Sequence, residues 1–377
     1  MAETKTTCAT KTCSAKKAEP EKILSVGFVG IGGMGNIHIE GYAKDPRVKI
    51  VALCDLIPEK CTNAIERHGL CKKTPVYTDF REMIDREELD AVDISTSNDF
   101  HSIIAVYALE HGLHVFCEKP DAINVTEAQK MKDASEAAGK VLMVMRNNRY
   151  QENSKYLKKF IEDGGAGEIY CGRCGWIRRR GIPGKGGWFT TKEKSGGGPL
   201  IDLGVHLIDL SIWLMGNPTP VAVTGCTYNK FADNDAKADS AHAAFGEAKA
   251  DGIFDVEDLA MGFIRFDNGA CLQIEFSWAS NIEAERRFVE LRGTKAGFTW
   301  NDEICCAIWT EDETGKLVDI KPPFEELGHG HHRAIKHFTD ILLEGAEPDY
   351  VPIQGVNMIK ILTALYESAK TGREVLL

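Results

Sequence analysis

The feature that most constrains this chain is the stretch from Ile23 to Asp55. A β-rich apolar run, Ile23–Val29, ends in Gly30-Ile31-Gly32-Gly33-Met34-Gly35, which opens an amphipathic segment through Tyr42, and a second apolar run, Lys49–Cys54, ends at Asp55. A lone G-x-G-x-x-G says little. Bracketed by a strand and a helix, with an acid about twenty residues past the last glycine, it specifies the opening of a βαβ unit that holds a dinucleotide. Gly30 permits the tight turn, Gly32 lets the backbone approach a pyrophosphate, and Gly35 lets helix and strand pack closely, with Gly33 and Met34 completing the loop. The helix N-terminus then offers N–H donors and the favourable end of its dipole to the phosphates. Asp55 is placed to accept hydrogen bonds from the adenosine ribose and to repel a 2′-phosphate. The residues after it, Leu56-Ile57-Pro58, supply no arginine, so NAD is expected rather than NADP.

The alternation continues with a helix over Pro58–His68, a strand Ala91–Ile94, a helix His101–His111, a strand His114–Cys117, a helix Val125–Ala138 and a strand Val141–Met145. Strands alternating with helices on short connections predict an α/β, doubly wound parallel sheet, a Rossmann domain over residues 21–145. Ligands of such sheets bind at the carboxyl ends of the strands. The turns Ser95-Thr96-Ser97-Asn98 and Glu118-Lys119-Pro120 therefore face the crevice, and Thr96, Asn98, His101, Glu118 and Lys119 join the expected cofactor contacts. Lys119 precedes a proline, which holds its backbone extended. An ammonium there can bind a substrate hydroxyl and stabilise charge developing on its oxygen.

Residues 195–210, SGGGPLIDLGVHLIDL, form the second organising stretch. Asp202, His206 and Asp209 share one face if the run is a regular helix, and every other face is apolar. A carboxylate and an imidazole in such surroundings must be paired or open to a cleft. A structural hydrogen bond inside a core helix is the competing reading. Immediately upstream, Arg178–Phe189 is a glycine-rich, basic, aromatic loop of the kind that carries recognition when fixed at both ends. Arg149, Arg178, Trp188, Asp202 and His206 form the expected substrate-binding set.

Beyond Arg146 the pattern becomes that of an α+β domain over residues 146–350: a helix Asn153–Asp163, then strands Glu168–Ile177, Val221–Tyr228, Leu259–Phe266, Ala270–Trp278 and Phe288–Arg292. Asp267-Asn268-Gly269 marks a hairpin. These predict a large open, mostly antiparallel sheet, apolar on both faces, whose outer face meets another subunit. Residues 351–377 hold an amphipathic helix expected to return to the first domain. Residues 1–20 read as a disordered tail, and residues 229–252 as an excursion of unreadable role. Cys171 and Cys174 lie on a strand-like run with no second pair to follow, so no metal site is expected. The run Gly328–His332 fits a helix start near the cleft or a surface turn.

The net charge of −11, from 45 basic and 56 acidic residues, argues against nucleic acid or an anionic membrane as partner. No apolar run reaches the ~18 residues of a membrane span. Twelve scattered cysteines in so long a chain suit a reduced, cytoplasmic setting.

With these residues in view, the chain resembles the Gfo/Idh/MocA oxidoreductases. The likeness rests on Gly30–Gly35, Glu118-Lys119-Pro120, the G-G-G-x-x-x-D-x-G-x-H-x-x-D run from Gly196 to Asp209, and Glu367–Arg373 near the end. It departs at Thr96-Ser97-Asn98, where the family often has Thr-Pro-Asn. The resemblance implies a Rossmann domain, a second domain with a large open sheet, a homodimer or homotetramer built through that sheet, and a catalytic set at Lys119, Asp202 and His206. The loop at Arg180–Pro183 is similar to that of members acting on sugars and glycosides. The implied activity is NAD-dependent hydride transfer from a secondary alcohol of a sugar, cyclitol or glycoside. His206 would take the proton, Lys119 hold the oxygen, and Asp202 orient His206 or the hydroxyl. Two alternatives stay open: a glycosidase or lyase that oxidises its substrate only transiently, and a non-catalytic dinucleotide-sensing regulator.

Overall fold

Two sheets of opposite construction organise the chain. A computed structural model describes residues 22–232, 246, 248–301, 305–324 and 330–377. The expected tail and most of the 229–252 excursion lie outside them. The first sheet and its helices run β1 (Leu24–Val29), α1 (Gly33–Ala43), β2 (Val48–Cys54), α2 (Pro58–Arg67), β3 (Val76–Tyr77), α3 (Phe80–Arg86), β4 (Ala91–Ile94), α4 (Asn98–Glu110), β5 (His114–Cys117), α5 (Val125–Ala138) and β6 (Leu142–Val144). Its six strands lie in the order β3-β2-β1-β4-β5-β6 and all pair in parallel. The central strands are short apolar runs because helices cover both faces. The order reverses between β1 and β4, which is where such a sheet opens a crevice. β3 and α3 fall outside the sequence expectation: two residues are too few to show alternation, and α3 is announced only by Asp79, whose side chain accepts from the Arg81 N–H at 2.9 Å.

The second half runs α6 (Glu152–Glu162), β7 (Ile169–Ile177), α7 (Lys192–Ser195), α8 (Val205–Leu214), β8 (Pro220–Tyr228), β9 (Leu259–Phe266), β10 (Cys271–Ser277), β11 (Arg286–Gly293), β12 (Ala296–Asn301), β13 (Cys305–Glu311), β14 (Leu317–Ile320), α9 (Gly330–Glu344), α10 (Pro352–Thr371) and β15 (Val375–Leu376). Nine strands form one sheet in the order β14-β13-β12-β11-β7-β10-β9-β8-β15. β7 and β10 pair in parallel and the other neighbours antiparallel. The expected hairpin joins β9 to β10 through Gly269. Strands β12 to β14 carry the sheet beyond the expected runs.

One face of this sheet is core: Ile264, Phe266, Leu272, Ile274 and Phe276 are buried. The expectation of a second apolar face needs correction. Met261, Phe263 and Cys271 are only partly exposed there, but Glu275, Gln273 and Arg265 stand opposite them across β9 and β10, and beyond Gln273 Arg173 pairs with Glu290 across β7 and β11 (2.6 Å). Charged side chains therefore interrupt the apolar ones. α10 packs against both β8 and α5, so the C-terminal helix bridges the halves, while α9 lies along α1. Residues 192–214 are long and apolar enough to cross a membrane, yet 83% of that apolar window is buried, as in a core segment.

A buried ion network ties the halves together. The Asp209 carboxylate accepts from Arg146 Nε (2.9 Å) and from Arg149 Nε and Nη2 (2.8 and 2.6 Å). Arg146 also reaches Asp121 (2.5 Å), whose other oxygen accepts from the Tyr350 hydroxyl (2.6 Å).

Candidate active site

A cleft of about 770 Å³ starts at the carboxyl ends of β1, β2 and β4 and continues to the second sheet. Gly30, Gly32, Gly33 and Met34 form its floor at one end. Gly30 has φ of +92°, and a Cβ there would stand 2.6 Å from the Ser95 backbone. Gly35 lies beneath, outside the lining. At the start of α1 no side chain caps the helix, so its N–H groups stay directed at the cleft. Asp55 lines the same end, its two oxygens fixed by the N–H groups of Ile31 (2.8 Å) and Ile57 (2.9 Å). This set fits a dinucleotide: donors for a pyrophosphate and a held carboxylate for ribose hydroxyls. Asp55→Ala is expected to weaken NAD binding and to shift the NAD-to-NADP preference by about tenfold or more, the worth of one charge-assisted hydrogen bond. Titration of each nucleotide against both proteins measures it.

Thr96, Asn98, Glu118 and Lys119 line the cleft as expected. His101 does not. It is buried, with Nδ1 against the Pro120 carbonyl (2.8 Å) and Nε2 near that of Thr96 (3.3 Å), so it joins the two turns instead of touching a ligand.

At the other end stand Lys119, Asp202 and His206. The segment before α8 is not a regular helix: Leu200–Gly204 is a π-helical turn, a distortion that recurs at functional sites. Gly198 lets it start here, because a Cβ would lie 2.1 Å from the Glu257 carbonyl. The buried Glu257 carboxylate in turn accepts from the N–H groups of Gly198 (3.0 Å) and Leu200 (3.1 Å). Asp202 and His206 open on the cleft. Asp209 does not, being taken by Arg146 and Arg149.

Lys119 Nζ donates to Asp202 Oδ1 (3.0 Å) and to the Asp202 carbonyl (3.1 Å), and Trp278 Nε1 donates to Asp202 Oδ2 (2.9 Å). Burial would raise the Asp202 pKa, but the Lys119 charge, with Arg178 and the two hydrogen bonds, holds the carboxyl below its ordinary range. His206 is not oriented by Asp202, as expected from spacing. Its Nδ1 meets Asn147 Oδ1 at 3.1 Å. Burial, and then the charges of Lys119 and Arg287, keep its pKa well below the ordinary histidine value.

Of the expected substrate contacts, Arg178 and Trp188 line the cleft. The Arg178 guanidinium rests over Trp176 (5.0 Å), and Trp188 stacks on Phe189 (3.8 Å between centroids, 27° between planes). Arg149 is a correction: it is 1% exposed and held by Asp209, so its charge is spent inside the junction. Sequence reasoning missed Asn147, Trp176, Trp278 and Arg287, and left the run holding His331 between a helix start near the cleft and a surface turn. The strand-end rule, applied to β6, points at Asn147; nothing local marks Trp176, Trp278 or Arg287. His331, in the first turn of α9, places the histidine-rich run at the cleft.

Residues 24–146 match the family described as "Oxidoreductase family, NAD-binding Rossmann fold", and residues 154–299 match "GFO/IDH/MocA C-terminal domain". A D-glucoside 3-dehydrogenase of Escherichia coli (strain K12) is 31% identical over 96% of this chain and 99% of its own length. A levoglucosan dehydrogenase of Pseudarthrobacter phenanthrenivorans is 31% identical over 81% of this chain and 82% of its own. Among solved structures, levoglucosan dehydrogenase in complex with NADH is 25% identical, with a TM-score of 0.79 over 94% of this chain and 98% of that one. By both halves of its length, the chain is an NAD-dependent oxidoreductase that belongs to the Gfo/Idh/MocA family.

Proposed function

We propose that this protein oxidises a secondary hydroxyl of a sugar or glycoside, with Lys119 and His206 acting on the reacting oxygen. The observation that carries the reading is the meeting of Lys119, Asp202 and His206 in the cleft that begins at the glycine loop. Bound at that loop, NAD supplies the acceptor for the hydride. His206 supplies the base. With its pKa depressed it is neutral at pH 7, and with Nδ1–H donated to Asn147 its Nε2 lone pair is left to take the hydroxyl proton. Lys119 has three donors and spends two on Asp202, leaving one for the substrate oxygen as charge develops on it. Asp202, locked by Trp278, holds that ammonium in place. The aromatic surfaces of Trp176 and Trp188 suit the apolar face of a sugar ring, and both relatives named above act on sugars by name.

The test is to incubate the protein and NAD with a panel of cyclitols, monosaccharides and glycosides, following reduced-nicotinamide absorbance and product mass together. NADH formed with an oxidised product is expected. A cleaved or dehydrated product without NADH would mean transient oxidation instead. The base assignment has its own check. Asn147→Asp places a carboxylate against His206 Nδ1, which raises the His206 pKa. Because protonated His206 cannot accept a proton, the acid limb of the kcat/KM profile is expected to move up by about one pH unit or more.

The oligomer is proposed to form through the outer face of the nine-stranded sheet, using Met261 and Phe263 between the charged pairs. A reducing, cytoplasmic setting suits Cys54, Cys61, Cys117 and Cys174, which are buried free thiols.

A further inference from the structure

Lys119 is held from behind as well as in front. The residue before it, Glu118, is 4% exposed and uses its two oxygens differently. Oε2 accepts from the main-chain N–H of Lys119 (3.0 Å), and Oε1 meets His38 Nε2 (3.0 Å). His38, wholly buried on α1, turns its other nitrogen to both oxygens of Asp93 (2.9 Å each). Asp93 lies on β4 and also accepts from the Ser95 hydroxyl (3.1 Å). An imidazole donates from both nitrogens only when protonated, and two flanking buried carboxylates are tolerable only around a cation. Although burial opposes it, Asp93 and Glu118 together push the His38 pKa up to about 10.

The chain of contacts thus joins three elements that share no sequence neighbourhood. α1 carries the glycine loop, β4 leads into the Ser95–Asn98 turn, and the Glu118-Lys119 turn carries the ammonium. Neither His38 nor Asp93 lines the cleft, so neither touches a ligand. We infer that Asp93 and His38 are positioning residues that act through Glu118 to fix the Lys119 turn, so that the ammonium meets Asp202 and the reacting oxygen together. The inference rests on the reading of Lys119 given above.

The experiment is a double-mutant cycle in kcat, on a substrate identified by the panel. His38→Gln keeps a side chain of similar reach but removes the charge, and is expected to lower kcat by about tenfold to 10²-fold, the scale of a displaced catalytic group. NAD affinity, measured by titration, is expected to stay within about threefold of the native value, where the cleft floor is unaltered. In a Lys119→Ala background the same change is expected to cost nothing further, because the group it positions is gone. Asp93→Asn, which retains one acceptor for His38, is expected to behave alike with a smaller loss, and it serves where His38→Gln does not fold. Losses that multiply in the double mutants, or a fall in NAD affinity matching the fall in kcat, would overturn the inference while leaving the role of Lys119 intact. An unchanged kcat for Lys119→Ala alone would instead remove the reading of Lys119 on which the inference stands.

Discussion

Lys119→Ala and His206→Ala are each expected to lower turnover by about 10²–10⁴-fold with NAD still bound. The magnitude follows from the separate jobs proposed for the two groups. Without Lys119 the developing oxyanion loses its only charged donor from the Glu118-Pro120 turn, and Asp202 is left in the cleft with the Trp278 indole as its remaining side-chain donor. Without His206 no neutral base stands beside Asn147. The residue types also separate in pH. Below neutrality the native enzyme should keep its activity further than an ordinary histidine allows, because the depressed pKa keeps His206 unprotonated as pH falls. Single-turnover rates for the variants, beside NAD titrations, check both points. Near-native turnover in a folded variant removes that residue from the mechanism.

Asp209→Ala is expected to destabilise the fold by about 3–5 kcal/mol, since it strips the shared anion from two buried guanidiniums. Arg146 and Arg149 are 4% and 1% exposed, so water cannot replace the lost partner. Arg146 would keep Asp121, and Arg149 would keep the Gln354 side chain. Thermal and denaturant unfolding read the loss. Because Asp209 does not open on the cleft, NAD affinity of the protein that remains folded should change little.

The same position shows where the sequence is legible and where it is not. Spacing puts Asp202, His206 and Asp209 on one helical face, and the apolar residues around them correctly announce a buried helix. The π-helical turn at Leu200–Gly204 breaks the regular phase, and whether a buried carboxylate meets a cleft or an arginine depends on chain some 60 residues away. Arg149 fails for that reason: an arginine beside a strand end looks like a ligand contact until its partner arrives from another element. The first sheet, apart from the two-residue β3, was readable because its other strands, its glycines and its acid are set by local rules. So were the turns after β4 and β5, which place Thr96, Asn98, Glu118 and Lys119 at the cleft. His101 sits in the same neighbourhood but its nitrogens are used up by two carbonyls, which only packing decides. Asn147 and Trp278 were missed although each orients a group that was found, because an amide and an indole carry no charge pattern to mark them. The outer face of the second sheet reads as apolar only if Met261, Phe263 and Cys271 are counted without their cross-strand partners: Glu275, Gln273 and Arg265 stand opposite them on the same face, and β7 and β11 add the Arg173–Glu290 pair.

Deuterium transfer tests the central claim most directly. The protein is incubated with NAD and a glycoside bearing deuterium at every ring carbon, and the recovered nucleotide is weighed by mass spectrometry. Reduced nicotinamide one mass unit heavier than the unlabelled form, appearing with native protein and suppressed in His206→Ala, is the expected result. Unlabelled NADH, or a changed sugar whose deuterium all stays behind with no reduced nucleotide formed, contradicts it.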